Sequence, residues 1–213
     1  RASCIYPTVC KELNASLKPS IKLLREIRDL PGIKKVFIGS GIRYDLALLD
    51  GEYIEELVKN HVSGQLSVAP EHICEEVLLL MGKPRIGKFI EFKDKFMQLS
   101  KKHGKKQFII PYFISSHPGS TLQHALELAL FLNKNNIRLE QVQNFTPTPM
   151  TISTCMYYTG TDPFTGKKVH IPKGEERSFQ KALLQPHLEK NYREVVKALK
   201  TLNRMDLLKT LID

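Results

Sequence analysis

The sequence has little cysteine and no long apolar run. Its 213 residues hold four cysteines, Cys4, Cys10, Cys74 and Cys155, too few for a disulfide scaffold of this size. Cys4 and Cys10 flank Pro7 at a spacing unlike a zinc-knuckle pair. No three of the cysteines show the Cys-x3-Cys-x2-Cys spacing of an iron–sulfur loop. No segment approaches the length of a bilayer span, and the first residues do not read as a signal peptide. The expectation is a soluble cytoplasmic protein with no membrane partner. A Walker A loop, a G-x-G-x-x-G fingerprint and a nucleophile elbow are missing, which argues against the corresponding nucleotide and hydrolase classes. No acid/base pair of carboxylates of the glycosidase type is visible either.

What is present suits a globular α/β chain. Hydrophobic residues make up 42% and charged residues 25%, enough for a core and too balanced for disorder. The net charge is +10, from 32 basic and 22 acidic residues. Such a balance favours an anionic partner, either RNA, DNA or a phosphorylated or carboxylated ligand. The basic residues are spread along the chain, however, with short runs such as Lys101-Lys102 and Lys105-Lys106. A generally basic, solvated surface accounts for that spread equally well.

Residues 1–17 read as an irregular lead-in, and the abrupt start at Arg1 suggests a fragment. Lys18–Leu30 is a predicted helix with Ile21, Leu24 and Ile27 on one face. Val36–Ile38 is a predicted strand that ends in Gly39-Ser40-Gly41. Helix Glu52–His61, strand Leu66–Ala69 and helix Ile73–Met81 follow, the last closed by Gly82 and Pro84. Helix Gly87–Lys102 carries the stripe Phe89, Phe92, Phe96 and Leu99, which reads as core. Strand Phe108–Ile114, helix Leu122–Asn133 and strand Gln141–Phe145 complete a repeating βα pattern, which implies parallel strands. Beyond Pro149 the texture changes. Met150–Gly160 reads as extended and rich in Thr and Tyr, and Val169–Pro172 as a short edge strand. Helices are then expected over Glu175–Leu184, Leu188–Leu202 (with Tyr192 facing inward) and Met205–Ile212.

Parallel strands gather chemistry at their C-terminal ends. Those ends carry Ser40, Gly41 and Arg43; Glu71 and His72; Ser115, Ser116 and His117; and Thr146 and Thr148. A rim of hydroxyls and backbone amides with one Glu and one Arg suits a zwitterionic or ribose-containing ligand. Glu71 could equally serve as a helix cap. Any one of these residues, taken singly, reads as an ordinary turn residue.

Several strings are long enough to compare with a known family. Ser40-Gly41-Ile42-Arg43-Tyr44-Asp45, Val68-Ala69-Pro70-Glu71-His72, Met81-Gly82-Lys83-Pro84 and Pro111 through Gly119 resemble the YgiQ family of radical S-adenosylmethionine (SAM) proteins. So do Phe145 through Thr151 and Cys155-Met156-Tyr157-Tyr158-Thr159-Gly160. The resemblance implies a part-barrel that binds SAM and a [4Fe–4S] cluster and cleaves SAM reductively to a 5′-deoxyadenosyl radical. It implies that Glu71 and Lys83 contact the amino-acid part of SAM, where many relatives carry Gln and Arg. Pro118-Gly119-Ser120-Thr121 resembles a Pro-Gly-Glu-Thr turn of tRNA-modifying relatives, and Thr146-Pro147-Thr148-Pro149 a strand end that flanks adenine. An electron donor such as flavodoxin or ferredoxin is implied as a partner. The missing cysteine loop departs from the family and implies that the cluster ligands lie upstream of this chain. Cys4, Cys10 and Cys155 are either ligands of an auxiliary cluster or free thiols.

The resulting expectation is an α/β chain. It reads as a partial TIM-type (βα) barrel fragment with parallel strands over residues 1–149, followed by a mainly helical extension over 150–213. The expected cofactor-binding residues are Ser40, Arg43, Glu71, Lys83, Ser116, Gly119, Thr146 and Pro147. The expected function is part of a radical SAM enzyme acting on an unknown substrate, with RNA and anionic small molecules as candidates. The alternative is a non-catalytic basic α/β module that binds RNA or a nucleotide.

Overall fold

Alternating burial along Gln65–Glu71 identifies the first strand. Leu66, Val68 and Pro70 face inward while Gln65 and Ser67 face solvent, the period of two expected of a pleated strand. The computed structural model describes residues 3–212. In chain order its elements are α1 (Lys18–Arg28), α2 (Tyr44–Ala47), α3 (Gly51–Glu56), β1 (Gln65–Glu71), α4 (Glu75–Met81), α5 (Ile86–Lys102), β2 (Phe108–Ser115), α6 (Leu122–Lys134), β3 (Gln143–Asn144), α7 (Ile152–Thr159), α8 (Glu175–Leu184), α9 (Tyr192–Thr201) and α10 (Leu208–Ile212). The three strands form a small parallel sheet in the order β1-β2-β3, with Ile114 opposite Gln143 and Ser115 opposite Asn144. No helix among the described residues is long and apolar enough to cross a membrane.

The described residues fall into two compact units. The first runs up to Pro70 and resumes over Pro84–Tyr112; the second comprises Glu71–Lys83 and the chain from Phe113 onward. The first unit is built around the aromatic stripe. Phe92 and Phe96 are fully buried with Ile54, Leu57 and Val58, and Tyr44 meets Phe89 edge-on at 6.0 Å. A buried ring of this size contributes about 3–5 kcal/mol relative to alanine. The second unit packs α6 against α8 and α9, through Ala125, Leu126 and Ala129 on one side and Leu183, Val195 and Leu199 on the other. Helices α8, α9 and α10 thus share one core with α6.

Several expectations are corrected. Val36–Ile38 is not a strand: its backbone bonds to a helix end, with the Ile38 N–H on the His61 carbonyl at 2.9 Å and His61 Nδ1 on the Val36 carbonyl at 2.9 Å. Phe37 is 45% exposed, so that short apolar run never enters a ladder. Of the expected strand Gln141–Phe145, two residues pair. The segment expected to be extended contains α7, capped by the Thr151 hydroxyl, which accepts from the Thr154 N–H, and stopped by left-handed Gly160. Val169–Pro172 forms no strand; its neighbourhood holds a single antiparallel bridge, Thr161 to Lys168. Tyr192 opens α9 and is 48% exposed instead of inward. Arg1 and Ala2, the start of the expected lead-in, lie outside the described residues.

Candidate ligand-binding cleft

In the second unit, the C-terminal ends of the strands open on a cleft of about 350 Å³, within the range of small-molecule sites. Glu71, Ile114, His117, Asn144, Thr146 and Ser153 are among its lining residues, with Met81 and Phe145 supplying apolar surface. Two of the strand ends carry a non-glycine residue in the left-handed region: Glu71 at φ +66° and Ser116 at φ +62°. Side chains there cost about 1–2 kcal/mol, and such strain persists where the surroundings over-determine it.

Glu71 does not cap a helix. It is the last residue of β1, and the N-cap of α4 is Cys74. Its Oε1 lies 3.0 Å from Lys83 Nζ, with the two side chains 21% and 23% exposed. The pair forms because α4 ends at left-handed Gly82; Lys83 is the next residue. A half-buried carboxylate beside a half-buried ammonium presents two opposite charges to a ligand that carries both.

His117 is 3% exposed and held on both ring nitrogens. Nδ1 is 2.7 Å from the Pro118 carbonyl, and Nε2 is 2.8 Å from Ser153 Oγ. A carbonyl can only accept, so Nδ1 carries a proton, and Nε2 shares a hydrogen bond with the Ser153 hydroxyl. Phe145 meets the imidazole edge-on at 5.1 Å. His72, next to Glu71, is buried and pushed down to about 3 by desolvation and by the charges of His124 and His117. It stays neutral and accepts the Cys74 N–H through Nδ1 at 3.0 Å. The Cys74 thiol is pushed up to about 12 by burial and by its hydrogen bond to Glu127, so it is not a thiolate at neutral pH.

The turn after β2 is pinned from α8. The buried Gln180 side-chain carbonyl accepts from the Ser116 N–H and from Ser120 Oγ, each at 3.0 Å, while its amide donates to the Ser120 carbonyl at 3.0 Å. Gly119 sits at φ +90°, where a Cβ would lie 2.2 Å from Leu80 Cδ1; its N–H donates to the His170 carbonyl at 2.7 Å. Arg177, also on α8, donates to the Phe145 carbonyl at 2.9 Å.

Of the residues expected from the sequence, Glu71 and Thr146 line this cleft, and Lys83 is brought to it by its ion pair. Pro147 lies between the lining residues Thr146 and Thr148. Ser116 and Gly119 shape the turn that presents His117. Ser40 and Arg43 belong to the first unit, where Arg43 Nε donates to Asp45 at 2.8 Å. Sequence reasoning missed Ser153, Gln180 and Arg177. A glutamine between Phe179 and the buried Ala182-Leu183 of α8 was the available signal for Gln180.

The residues define an α/β chain with a polar cleft at the ends of parallel strands. Comparison with known proteins narrows this. Residues 140–210 match a family described as a domain of unknown function (DUF3362). The chain is similar to proteins named UPF0313 protein. It is 51% identical to that of Methanocella arvoryzae over 206 residues, covering 96% of this chain and 34% of the relative. It is 50% identical to the Methanosarcina acetivorans protein, covering 96% and 28%. It is 50% identical to the Clostridium perfringens protein over 208 residues, covering 96% and 31%. The chain therefore spans about a third of the length of these curated relatives.

Proposed function

We propose that this chain is part of a radical SAM enzyme and that its cleft binds SAM. On this reading the three parallel strands are the later strands of a (βα) part-barrel, and the helices after residue 150 close its ligand face. The observation that carries the reading is the Glu71–Lys83 pair at the edge of the cleft. SAM carries an ammonium and a carboxylate on one carbon. Glu71 would receive the ammonium and Lys83 the carboxylate, each exchanging its present partner for one of matching charge. Asn144, Thr146 and Thr148 supply the acceptors and hydroxyls for a ribose, and Met81, Ile114 and Phe145 apolar surface for a purine. These residues fit the group.

They do not fit the [4Fe–4S] cluster. No group of three His, Cys, Asp or Glu placed to hold a metal occurs among the described residues, and Cys4, Cys10 and Cys155 are exposed free thiols. The cluster ligands then belong to the part of the longer protein outside these 213 residues. SAM held here would supply the group from which a reduced cluster elsewhere in the protein generates hydrogen-atom abstraction. This chain's own residues orient SAM and keep water from it.

Calorimetric titration with SAM tests the reading. The chain binds SAM, and Glu71→Ala abolishes measurable binding. Glu71→Gln, the group many relatives of the resembled family carry, retains part of it. Unchanged affinity in Glu71→Ala removes the assignment. For the full-length protein, reductant-dependent release of methionine and 5′-deoxyadenosine is expected; its absence with an intact cluster removes the enzyme reading.

A further inference from the structure

The sequence scatters its basic residues, but the fold of the first unit collects them. A groove of about 320 Å³ is lined by Lys34, Lys35, Lys59, Lys105, Lys106 and Phe37. The lysines come from three places: the loop after α1, the π-helical turn Leu57–His61 that continues α3, and the loop that enters β2. None of these five lysines makes a salt bridge among the described residues. The nearby acids are already used: Glu56 is buried against Arg25 and Arg28. Burial alone would raise its pKa, yet hydrogen bonds from Arg25 and Asn60 hold it below the usual carboxylate range.

The groove is built and not merely charged. Gln107 on its floor is 5% exposed. Its amide donates to the carbonyls of Val58 at 3.0 Å and Val62 at 3.1 Å, and its side-chain carbonyl accepts from Ser100 Oγ at 2.8 Å. The Phe108 N–H closes on the Gly64 carbonyl at 2.8 Å. These bonds fix the backbone that carries Lys105 and Lys106 beside the turn that carries Lys59. Like charges gathered without counter-charges repel and lower the stability of the compact state, so their convergence is a cost that an anion relieves. Phe37 is 45% exposed, and Lys35 Nζ stands 5.9 Å from its ring centroid.

We propose that this groove binds single-stranded nucleic acid, with phosphates on the lysines and a base stacked on Phe37. A charged groove beside an exposed ring is what sequence-tolerant single-strand binding requires. Five lysines match several successive phosphates and exceed what one phosphorylated metabolite needs. An acidic peptide would use the lysines and gain nothing from the ring. The proposal does not rest on the SAM reading, because its variants lie in the first unit and leave the Glu71 cleft untouched.

The test is fluorescence anisotropy of a labelled dodecauridylate from 50 to 200 mM KCl. Lys105→Gln/Lys106→Gln weakens binding by about tenfold or more and lowers the slope of log affinity against log salt by about 1.4, at about 0.7 per phosphate contact. Lys190→Gln/Lys200→Gln, the same charge change on exposed helical positions of the second unit, weakens it by about twofold or less. Phe37→Ala weakens dodecauridylate binding by about fivefold or more, in line with one stacked base, and leaves the binding of inorganic polyphosphate unchanged. Equal losses in the two lysine pairs overturn the site and reduce the effect to net charge. An unchanged affinity in Phe37→Ala overturns the nucleic-acid assignment and leaves a general polyanion groove.

Discussion

Two polar regions of this chain solve opposite problems. In the cleft of the second unit, Glu71 has Lys83, His117 has Ser153 and the Pro118 carbonyl, and the turn after β2 has Gln180. In the groove of the first unit, the lysine ammonium groups have no carboxylate partner among the described residues. The cleft is organised before any ligand arrives, so its residues serve stability and recognition together. The groove keeps its backbone fixed and its charges unanswered, so its residues serve recognition alone. A polar residue in the first kind of site is costly to remove; in the second kind it is not.

The comparison is sharpest at Gln180. Gln180→Ala strands the Ser116 N–H and the Ser120 hydroxyl in a buried site, at a cost of about 2–3 kcal/mol measured by urea unfolding. Lys105→Gln/Lys106→Gln should stay within about 0.5 kcal/mol of the parent, as exposed substitutions do. Similar losses for both would erase the distinction.

Acid should separate the regions next. His72 has a folded pKa of about 3 against 6.5 unfolded. The unfolded chain therefore binds its proton first, so the stability from keeping His72 neutral is full above pH 6.5 and is lost as pH falls from 6.5 toward 3. Between pH 6.5 and 5 the loss is about 2 kcal/mol, and His72→Gln flattens that part of the profile. Among the described residues no histidine or carboxylate lines the lysine groove, so oligonucleotide binding should vary little from pH 6.5 to 8.

Smaller effects test the strain in the cleft. Ser116 is fully buried, at φ +62°, with its Oγ making no hydrogen bond among the described residues. Ser116→Gly relieves the backbone and removes the orphan hydroxyl, and should stabilise the chain by about 1 kcal/mol. A destabilised Ser116→Gly would show that the hydroxyl has a partner. Last, Lys83→Ala should cost about 1 kcal/mol in stability, because it leaves the Glu71 carboxylate, 21% exposed, without its partner. Its loss of SAM affinity should be larger than its loss of stability.

The sequence made much of this readable, for reasons that differ by element. The stripe Phe89, Phe92, Phe96 marked α5 as core because its period is strong and its burial complete. β1 and β2 were readable as apolar runs, although β1 continues through Pro70 to Glu71 where the expected strand ended at Ala69. Val36–Ile38 misled because an apolar triplet looks alike whether it pairs with a strand or bonds to a helix end. α7 was hidden because Met156 is its one buried residue, which leaves no periodic face; its capping Thr151 and terminal Gly160 were the signals to weigh. Glu71 and Thr146 were found by their place at strand ends. Ser153 and Gln180 act across 36 and 64 residues of sequence, a separation that no local pattern reports.

The shared core of α6, α8 and α9 also sets where the chain can be cut. A piece limited to residues 140–210, the span of the matched family, would carry α8 and α9 without Leu122, Ala125, Leu126 and Ala129 of the helix they cover. Its apolar face would be left in water and prone to self-association. A piece ended at residue 150 would bare the same face from the other side and leave the backbone around Ser120 without its glutamine. The dividing line drawn by homology and the one drawn by packing do not coincide, and expression of the fold should follow the second.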